Sequence, residues 1–140
     1  MKIKKVSTEQ FAGIREKEIS FGDGINVVYG KNESGKSTLV NLISRTFFQD
    51  ADVGKSNKND KEFVSRYFPS DKKGVDIKSD FIQGKVVFEA ENGEYSITKE
   101  WIAPAKKTRE NTSTCKLSTP YGKLTSQNDI KKELDKTLLY

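Results

Sequence analysis

The chain has 140 residues, of which 34% are hydrophobic and 32% charged, and its formal net charge is +5 at pH 7. This length predicts one domain with its own core, and the high polar share predicts long polar loops or a surface that other protein covers. No apolar run is long enough for a transmembrane helix, and the N-terminus lacks the apolar core of a signal peptide. We therefore expect a cytoplasmic protein that does not enter a membrane.

The single cysteine, Cys115, cannot form an internal disulfide, which is typical of a protein from a reducing compartment. The chain contains no histidine that could activate this thiol as a nucleophile. The composition therefore argues against both a disulfide scaffold and a cysteine enzyme.

The first predicted elements are three short strands. Ile3 and Val6, with lysines between them, indicate the first strand, and residues 16–21 alternate as a second. The turn sequence Gly22-Asp23-Gly24 then opens a β-branched and aromatic run at residues 25–29, which predicts a third strand.

A glycine-rich loop follows this third strand directly. Residues 30–37, GKNESGKS, fit the Walker A pattern GxxxxGK[ST] at every constrained position. After the loop, hydrophobic residues at helical spacing predict a helix: Leu39, Leu42, Ile43 and Phe47. The order of strand, loop and helix is the context in which this motif binds nucleotide phosphates. The alternative is a glycine-rich turn that binds nothing.

Each residue of the loop has an expected role toward ATP and Mg²⁺. Gly30 and Gly35 let the backbone turn so that amides from Asn32 to Thr38 converge on an anion. The Lys36 ammonium would lie between the β- and γ-phosphates, and the Ser37 hydroxyl would bind Mg²⁺. Thr38 is placed to reach the α-phosphate. The complete set of predicted nucleotide-binding residues is Gly30, Asn32, Glu33, Ser34, Gly35, Lys36, Ser37 and Thr38, with Ser37 as the metal ligand. A preference for ATP over GTP does not follow from these residues.

Residues 50–80 are polar, and we expect them to form a long, partly mobile excursion. The segment Asn57-Lys58-Asn59-Asp60 resembles the NKxD motif of GTPases, but it lies too early in the chain and in a lysine-rich loop, so we interpret it as a coincidence. A second polar stretch contains Lys106, Lys107 and Arg109. These residues permit contact with a nucleic-acid backbone, and the alternative is a solvated loop.

Regular structure is predicted again over residues 84–101. Two strands, 84–90 and 95–101, flank the turn signal Asn92-Gly93 and predict a β-hairpin. Another strand is expected at residues 113–117 and a turn at 119–122. The last element is a helix over residues 127–139 with Ser126 as its N-cap, and its apolar stripe consists of Ile130, Leu134 and Leu138.

A complete P-loop ATPase also needs a Walker B carboxylate at the end of an apolar strand. Glu89, after Val86-Val87-Phe88, is the best candidate in the sequence, but its strand alternates like a hairpin strand with one wet face. We therefore reject Glu89, and no other apolar run ends in an acid. The sequence contains half of an ATPase site and no residue to which we assign catalysis.

Residues 1–42, above all the strand at 25–29 with the Walker A loop, closely resemble the N-terminal lobe of SMC-like ABC ATPases, which include the RecF, RecN, SbcC and SMC proteins. The Asn32-Glu33 pair looks more like the bacterial YhaN group of AAA-type proteins. The segments 66–69, 84–89 and 95–99 also look like that lobe. The resemblance implies an α/β fold of the P-loop NTPase class, an ABC-ATPase-like lobe with an antiparallel subsheet or hairpin and two main helices.

The resemblance further implies that residues 1–140 form one N-terminal lobe of a larger head. A C-terminal lobe, joined through a coiled coil, would supply the signature, Walker B and switch residues. Two heads would enclose two ATP molecules, with DNA and a nuclease subunit as partners. We then expect a homodimer for the full-length, ATP-bound protein, a monomer for this chain alone, and very weak or no hydrolysis by it.

Some family positions are not matched. Arg15 is a candidate replacement for the basic residue that many relatives carry after the first strand, and neither Gln83 nor Gln127 is assigned as the glutamine-loop residue. One alternative function is a non-enzymatic interaction module whose loop is unused or occupied by an anion. A small stand-alone kinase or GTPase would need a Walker B acid and a base-selecting motif, which the sequence lacks.

Overall fold

The computed structural model describes residues 1–12, 14–22, 36–52, 54, 57–68, 81–104, 108 and 112–138, with the side chains of Lys36 and Leu138 excepted. This part of the chain contains an α/β fold. Its elements in chain order are β1 (Lys2–Phe11), β2 (Ile14–Ser20), α1 (Lys36–Phe48), α2 (Lys58–Tyr67), β3 (Phe81–Ala90), β4 (Gly93–Ile102), β5 (Thr114–Thr119), β6 (Gly122–Leu124) and α3 (Gln127–Leu138). None of the helices in this part is both long and apolar enough to cross a lipid bilayer.

The strands form one six-stranded sheet in the order β2-β1-β3-β4-β5-β6, and every neighbouring pair is antiparallel. The first strand of the chain therefore lies inside the sheet, between β2 and β3. The chain turns from β1 into β2 at Ala12, whose φ of 54° lies in the left-handed region. The antiparallel sheet predicted from the sequence is confirmed, and it is larger than the predicted hairpin.

The described helices cover one face of this sheet. Along β3 and β4, alternate residues are buried beneath them: Ile82, Gly84, Val86, Phe88, Tyr95, Ile97, Lys99 and Trp101. Lys85 and Glu89 are exposed on the opposite face, and Glu89 pairs with Lys4 at 3.5 Å. The wet face predicted for this strand is confirmed, which supports the rejection of Glu89 as a Walker B acid.

Two tight hairpins complete the second half of the sheet. Ala90 pairs with Gly93 across the β3–β4 turn, where Gly93 has a φ of +128° that favours glycine. This is the hairpin predicted from Asn92-Gly93. Thr119 pairs with Gly122 across the next turn, and the short strand β6 that follows it was not expected from the sequence.

The prediction of two main helices is wrong, because the described part of the chain contains three. The additional helix, α2, lies within the segment 50–80 that we expected to be a polar excursion. Its hydrophobic residues Phe63 and Tyr67 are four positions apart and buried, so they form one helical face. Residues 69–80 lie outside the described part.

The NKxD-like segment begins α2. The Asn57 side chain accepts hydrogen bonds from the backbone amides of Asn59 at 2.8 Å and Asp60 at 3.4 Å. Asn57 is therefore the N-cap of a helix, and Asp60 accepts a bond from the Gly54 amide at 2.9 Å. These contacts give the segment a structural role and agree with its interpretation as a coincidence.

Candidate functional site

The described part of the candidate site is the first turn of α1. This helix begins at Lys36, and Ser37 and Thr38 lie in its first turn. The predicted strand at 25–29, the loop from Gly30 to Gly35 and the Lys36 side chain lie outside the described residues. The set of nucleotide-binding residues thus stays a prediction, and its structural context is the helix that follows the loop.

The N-terminal end of α1 fits an anionic ligand. The first amides of a helix have no partners within the helix, and they add to the positive end of the helix dipole. The first turn of α1 contains no acidic residue that would compete for these amides. Ser37 is exposed, and its carbonyl accepts a hydrogen bond from Asn41 Nδ2 at 2.8 Å. An exposed hydroxyl at the N-terminal end of a helix suits a phosphate with its bound Mg²⁺.

The middle of α1 packs closely on the sheet. Leu39, Leu42 and Phe47 are buried, as the helical spacing predicted. Thr46 is fully buried, and its hydroxyl donates to the Leu42 carbonyl at 2.6 Å. Gly84 of β3 lies directly beneath these side chains, where a Cβ atom would overlap the Thr46 hydroxyl and approach Leu42 Cδ1 to 3.1 Å. The glycine therefore allows the helix to lie this close to the strand.

The C-terminal end of α1 is bound to β4 by side-chain hydrogen bonds. Lys99 Nζ donates to the carbonyls of Gln49 at 2.6 Å and Phe47 at 3.4 Å. Trp101 Nε1 donates to the Asp50 carbonyl at 3.0 Å. These carbonyls belong to the last turn of α1 and the residues after it, so two neighbouring side chains of one strand fix the end of the helix.

Lys99 occupies an unusual environment for a lysine, because it is only 4% exposed. Burial lowers the pKa of Lys99 below its ordinary value, while the nearby Cys115 and Asp50 oppose this shift. Burial likewise raises the pKa of the Cys115 thiol. The sequence analysis places Lys99 in a strand and gives it no role. The signal that could have revealed its burial is that Lys99 lies on the same side of β4 as Tyr95, Ile97 and Trp101.

Helix α2 packs beside α1 through aromatic rings. The Arg45 guanidinium of α1 lies 5.6 Å from the ring centroids of both Phe63 and Tyr67. The Phe63 ring contacts Trp101 at a centroid distance of 5.2 Å, and Tyr67 stacks on Phe11 of β1 at 4.9 Å. These contacts join α1, α2 and the sheet into one core.

The remaining residues considered in the sequence have other surroundings. Arg15 is exposed on β2, the outermost strand at this side of the described sheet, opposite Gln10 of β1. Gln83 accepts a hydrogen bond from the Glu9 amide at 3.2 Å, and Gln127 donates to Asp50 Oδ1 at 3.0 Å. Both glutamines thus have partners within the fold. Lys106, Lys107 and Arg109 lie outside the described residues.

The chain belongs to the AAA domain family, which it matches over residues 5–140. One relative is the DNA replication and repair protein RecF of Caldanaerobacter subterraneus subsp. tengcongensis, which is 26% identical over 88 residues, or 63% of this chain. The matched region makes up 24% of the RecF protein, so the chain corresponds to a minor part of that relative. These findings confirm the resemblance to the N-terminal lobe of SMC-, SbcC- and RecF-type ATPases.

Proposed function

We propose that this chain is the ATP-binding N-terminal lobe of an SMC-like ATPase head that acts in DNA repair or chromosome maintenance. The observation that carries the proposal is the complete Walker A sequence running directly into α1, whose first turn has no acidic residue and presents the exposed Ser37. Membership of the AAA domain family supports nucleotide binding, and the similarity to a RecF protein supports the connection to DNA.

In this proposal the chain contributes binding and charge neutralisation. Backbone amides from Asn32 to Thr38 cradle the β-phosphate, with Gly30 and Gly35 allowing the backbone to turn. The Lys36 ammonium neutralises phosphate charge, and the Ser37 hydroxyl holds Mg²⁺ together with phosphate oxygens and water. Bound Mg²⁺ supplies further charge neutralisation at the phosphates. None of these residues activates the attacking water.

Hydrolysis therefore requires groups from elsewhere. We propose that a C-terminal lobe, in the same or a partner chain, supplies the signature, Walker B and switch residues when two heads close on ATP in a homodimer. DNA and a nuclease subunit are the proposed partners of that assembly, and its proposed location is the cytoplasm. The chain by itself is then a monomer that binds ATP and hydrolyses it very slowly or not at all.

Calorimetric titration of the 140-residue chain with ATP and Mg²⁺ tests the binding step. We expect saturable binding that Lys36→Ala weakens by about tenfold or more, since the loss of one charge-assisted contact costs about 1.5–3 kcal/mol. Lys132→Ala, which removes an exposed lysine from α3, is the matched control and should leave the affinity unchanged.

Two results would contradict the proposal. Equal affinity for ATP and for inorganic pyrophosphate, unaffected by Lys36→Ala, would favour the interaction module with an anion-occupied loop. Rapid ATP turnover by the pure chain that depends on Lys36 would show that the lobe is a complete enzyme and needs no second lobe.

A further inference from the structure

Lys99 is a buried ammonium group that the proposed nucleotide chemistry does not use. Charged groups are seldom buried without a specific partner, because removal from water costs several kcal/mol. Its neighbours on the same side of β4, Ile97 and Trp101, are fully buried, so an apolar side chain would satisfy the packing at position 99. What an apolar residue could not do is donate hydrogen bonds to the end of α1.

Packing at the end of α1 is incomplete, so these hydrogen bonds add to the contact of the buried Phe47 ring with Phe88 at a centroid distance of 5.3 Å. A cavity of about 320 Å³ lies beside the last turn, lined by Phe47, Lys99, Cys115, Ile130 and Leu134 among others. Phe48, the last residue of α1, is 74% exposed. Close packing holds α1 at Thr46 and Gly84, and at the end of the helix the hydrogen bonds from Lys99 and Trp101 supplement the packing of the buried Phe47 ring.

We propose that Lys99 is a positioning residue for nucleotide binding. It fixes the C-terminal end of α1 on the sheet and thereby sets the direction in which the first turn of α1 points. This inference rests on the proposed function. With 13 residues, α1 is about 20 Å long at the usual rise of about 1.5 Å per residue. The first turn lies at the other end of the same helix, so a change in the tilt of α1 at its C-terminal end, next to Gln49, moves Ser37.

The geometry also assigns Trp101 a supporting part. Its indole N–H donates to the carbonyl of Asp50, and its ring packs against the Phe63 ring of α2. The indole therefore cannot replace Lys99 by moving toward the carbonyls of α1. Loss of the lysine leaves the Phe47 and Gln49 carbonyls without its hydrogen bonds, while the bonds from Trp101 and Gln127 to Asp50 remain.

The test compares Lys99→Met with Lys99→Arg and with Lys116→Met as the matched control. Lys116 is an exposed lysine on the adjacent strand β5, so its change removes the same charge without touching α1. Two quantities are measured on variants shown to be folded by circular dichroism: the calorimetric Kd for ATP with Mg²⁺, and amide hydrogen exchange of α1 without nucleotide.

We expect Lys99→Met to accelerate exchange along all of α1 and to raise the Kd by about fivefold or more, the lower end of usual coupling between separate sites. Lys99→Arg, which keeps a cationic donor, should restore most of the affinity, and Lys116→Met should match the unchanged chain. If Lys99→Met fails to fold, Trp101→Phe removes one donor, keeps a smaller aromatic ring and should shift both quantities in the same direction.

Faster exchange confined to the last turn, with an unchanged Kd, would reduce Lys99 to a local helix cap and overturn the inference. Equal loss of affinity in Lys99→Met and Lys99→Arg would overturn it too, because a positioning role requires rescue by the conservative variant. Absence of saturable binding by the unchanged chain would instead refute the proposed function, and the positioning role would fall with it.

Discussion

Substitution of Gly84 by alanine would test the close approach of α1 to the sheet. The added Cβ atom would overlap the Thr46 hydroxyl and lie 3.1 Å from Leu42 Cδ1 and 3.3 Å from Thr46 Cβ. Thr46 cannot easily rotate away, because it is fully buried and its hydroxyl is bonded to the Leu42 carbonyl. The helix must therefore lift from β3, and overpacking of this kind usually costs about 1–3 kcal/mol.

These three contacts, with atoms of the two buried residues Thr46 and Leu42, place Gly84→Ala toward the upper part of this range, so we expect a loss of about 2–3 kcal/mol in the free energy of unfolding. Urea unfolding followed by circular dichroism measures it. The double variant Gly84→Ala, Thr46→Ala removes the obstructing hydroxyl, and we expect it to recover at least about 1 kcal/mol relative to the sum of the single changes.

Gly54→Ala is the control for the loss of a glycine as such, because a Cβ there would meet Asp60 Oδ2 at an ordinary 3.6 Å. It should change the unfolding free energy by less than about 0.5 kcal/mol. If Gly84→Ala were no more destabilising than Gly54→Ala, or if the Thr46→Ala change gave no recovery, α1 would not lie on β3 as described.

Three further changes test other parts of the fold. Asn57→Ala removes the N-cap of α2 and should cost about 1 kcal/mol in unfolding free energy, measured in urea. Phe63→Ala empties the fully buried space between α2 and Trp101, and we expect a loss of about 3–5 kcal/mol in the same assay. Burial, and then the charge of Glu9, raise the pKa of Glu100 above its ordinary value of 4.5, so the folded state binds this proton more tightly than the unfolded state. Glu100→Gln should therefore stabilise the chain at pH 7, by less than about 1 kcal/mol because Glu100 is partly exposed, and this advantage should disappear below about pH 4.5 in thermal unfolding across pH.

Each of these changes has a matched control. Asn57→Ser keeps a capping oxygen and should remain near the unchanged chain. Phe63→Leu keeps most of the buried volume and should cost less than Phe63→Ala; equal costs would argue against the described packing. Glu94→Gln alters an exposed glutamate on the same strand as Glu100, and a pH dependence shared by both variants would assign the effect to net charge.

The elements with strong local signals could be predicted from the sequence. The hairpin around Asn92-Gly93 has a turn signal between two alternating strands, and α1 and α3 have regular apolar stripes. Ile130 and Leu134, predicted to face the core, are buried. Helix α2 was missed because its two buried rings, Phe63 and Tyr67, stand in a segment whose average composition is strongly polar. Its N-cap Asn57 was the signal that could have revealed it.

The long-range features could not be predicted from local patterns. The place of β1 between β2 and β3 depends on pairing with residues about eighty positions away. Alternation along β4 places Lys99 on the buried side of the strand, but its hydrogen bonds depend on where α1 ends in space, which no local pattern indicates. At the candidate site the motif predicted the ligand class and the helix that begins at Lys36, while the role of each loop residue stays a prediction.

The central place of β1 has a consequence for synthesis on the ribosome. β1 and β2 are synthesised before β3 and can pair with each other, but the inner edge of β1 stays without its partner until β3, which begins at Phe81, is synthesised. During that interval the hairpin presents an unpaired strand edge and its apolar side, the features that favour wrong pairing between nascent chains. Exchange of this first hairpin between two copies is thus a misassembly that this topology favours.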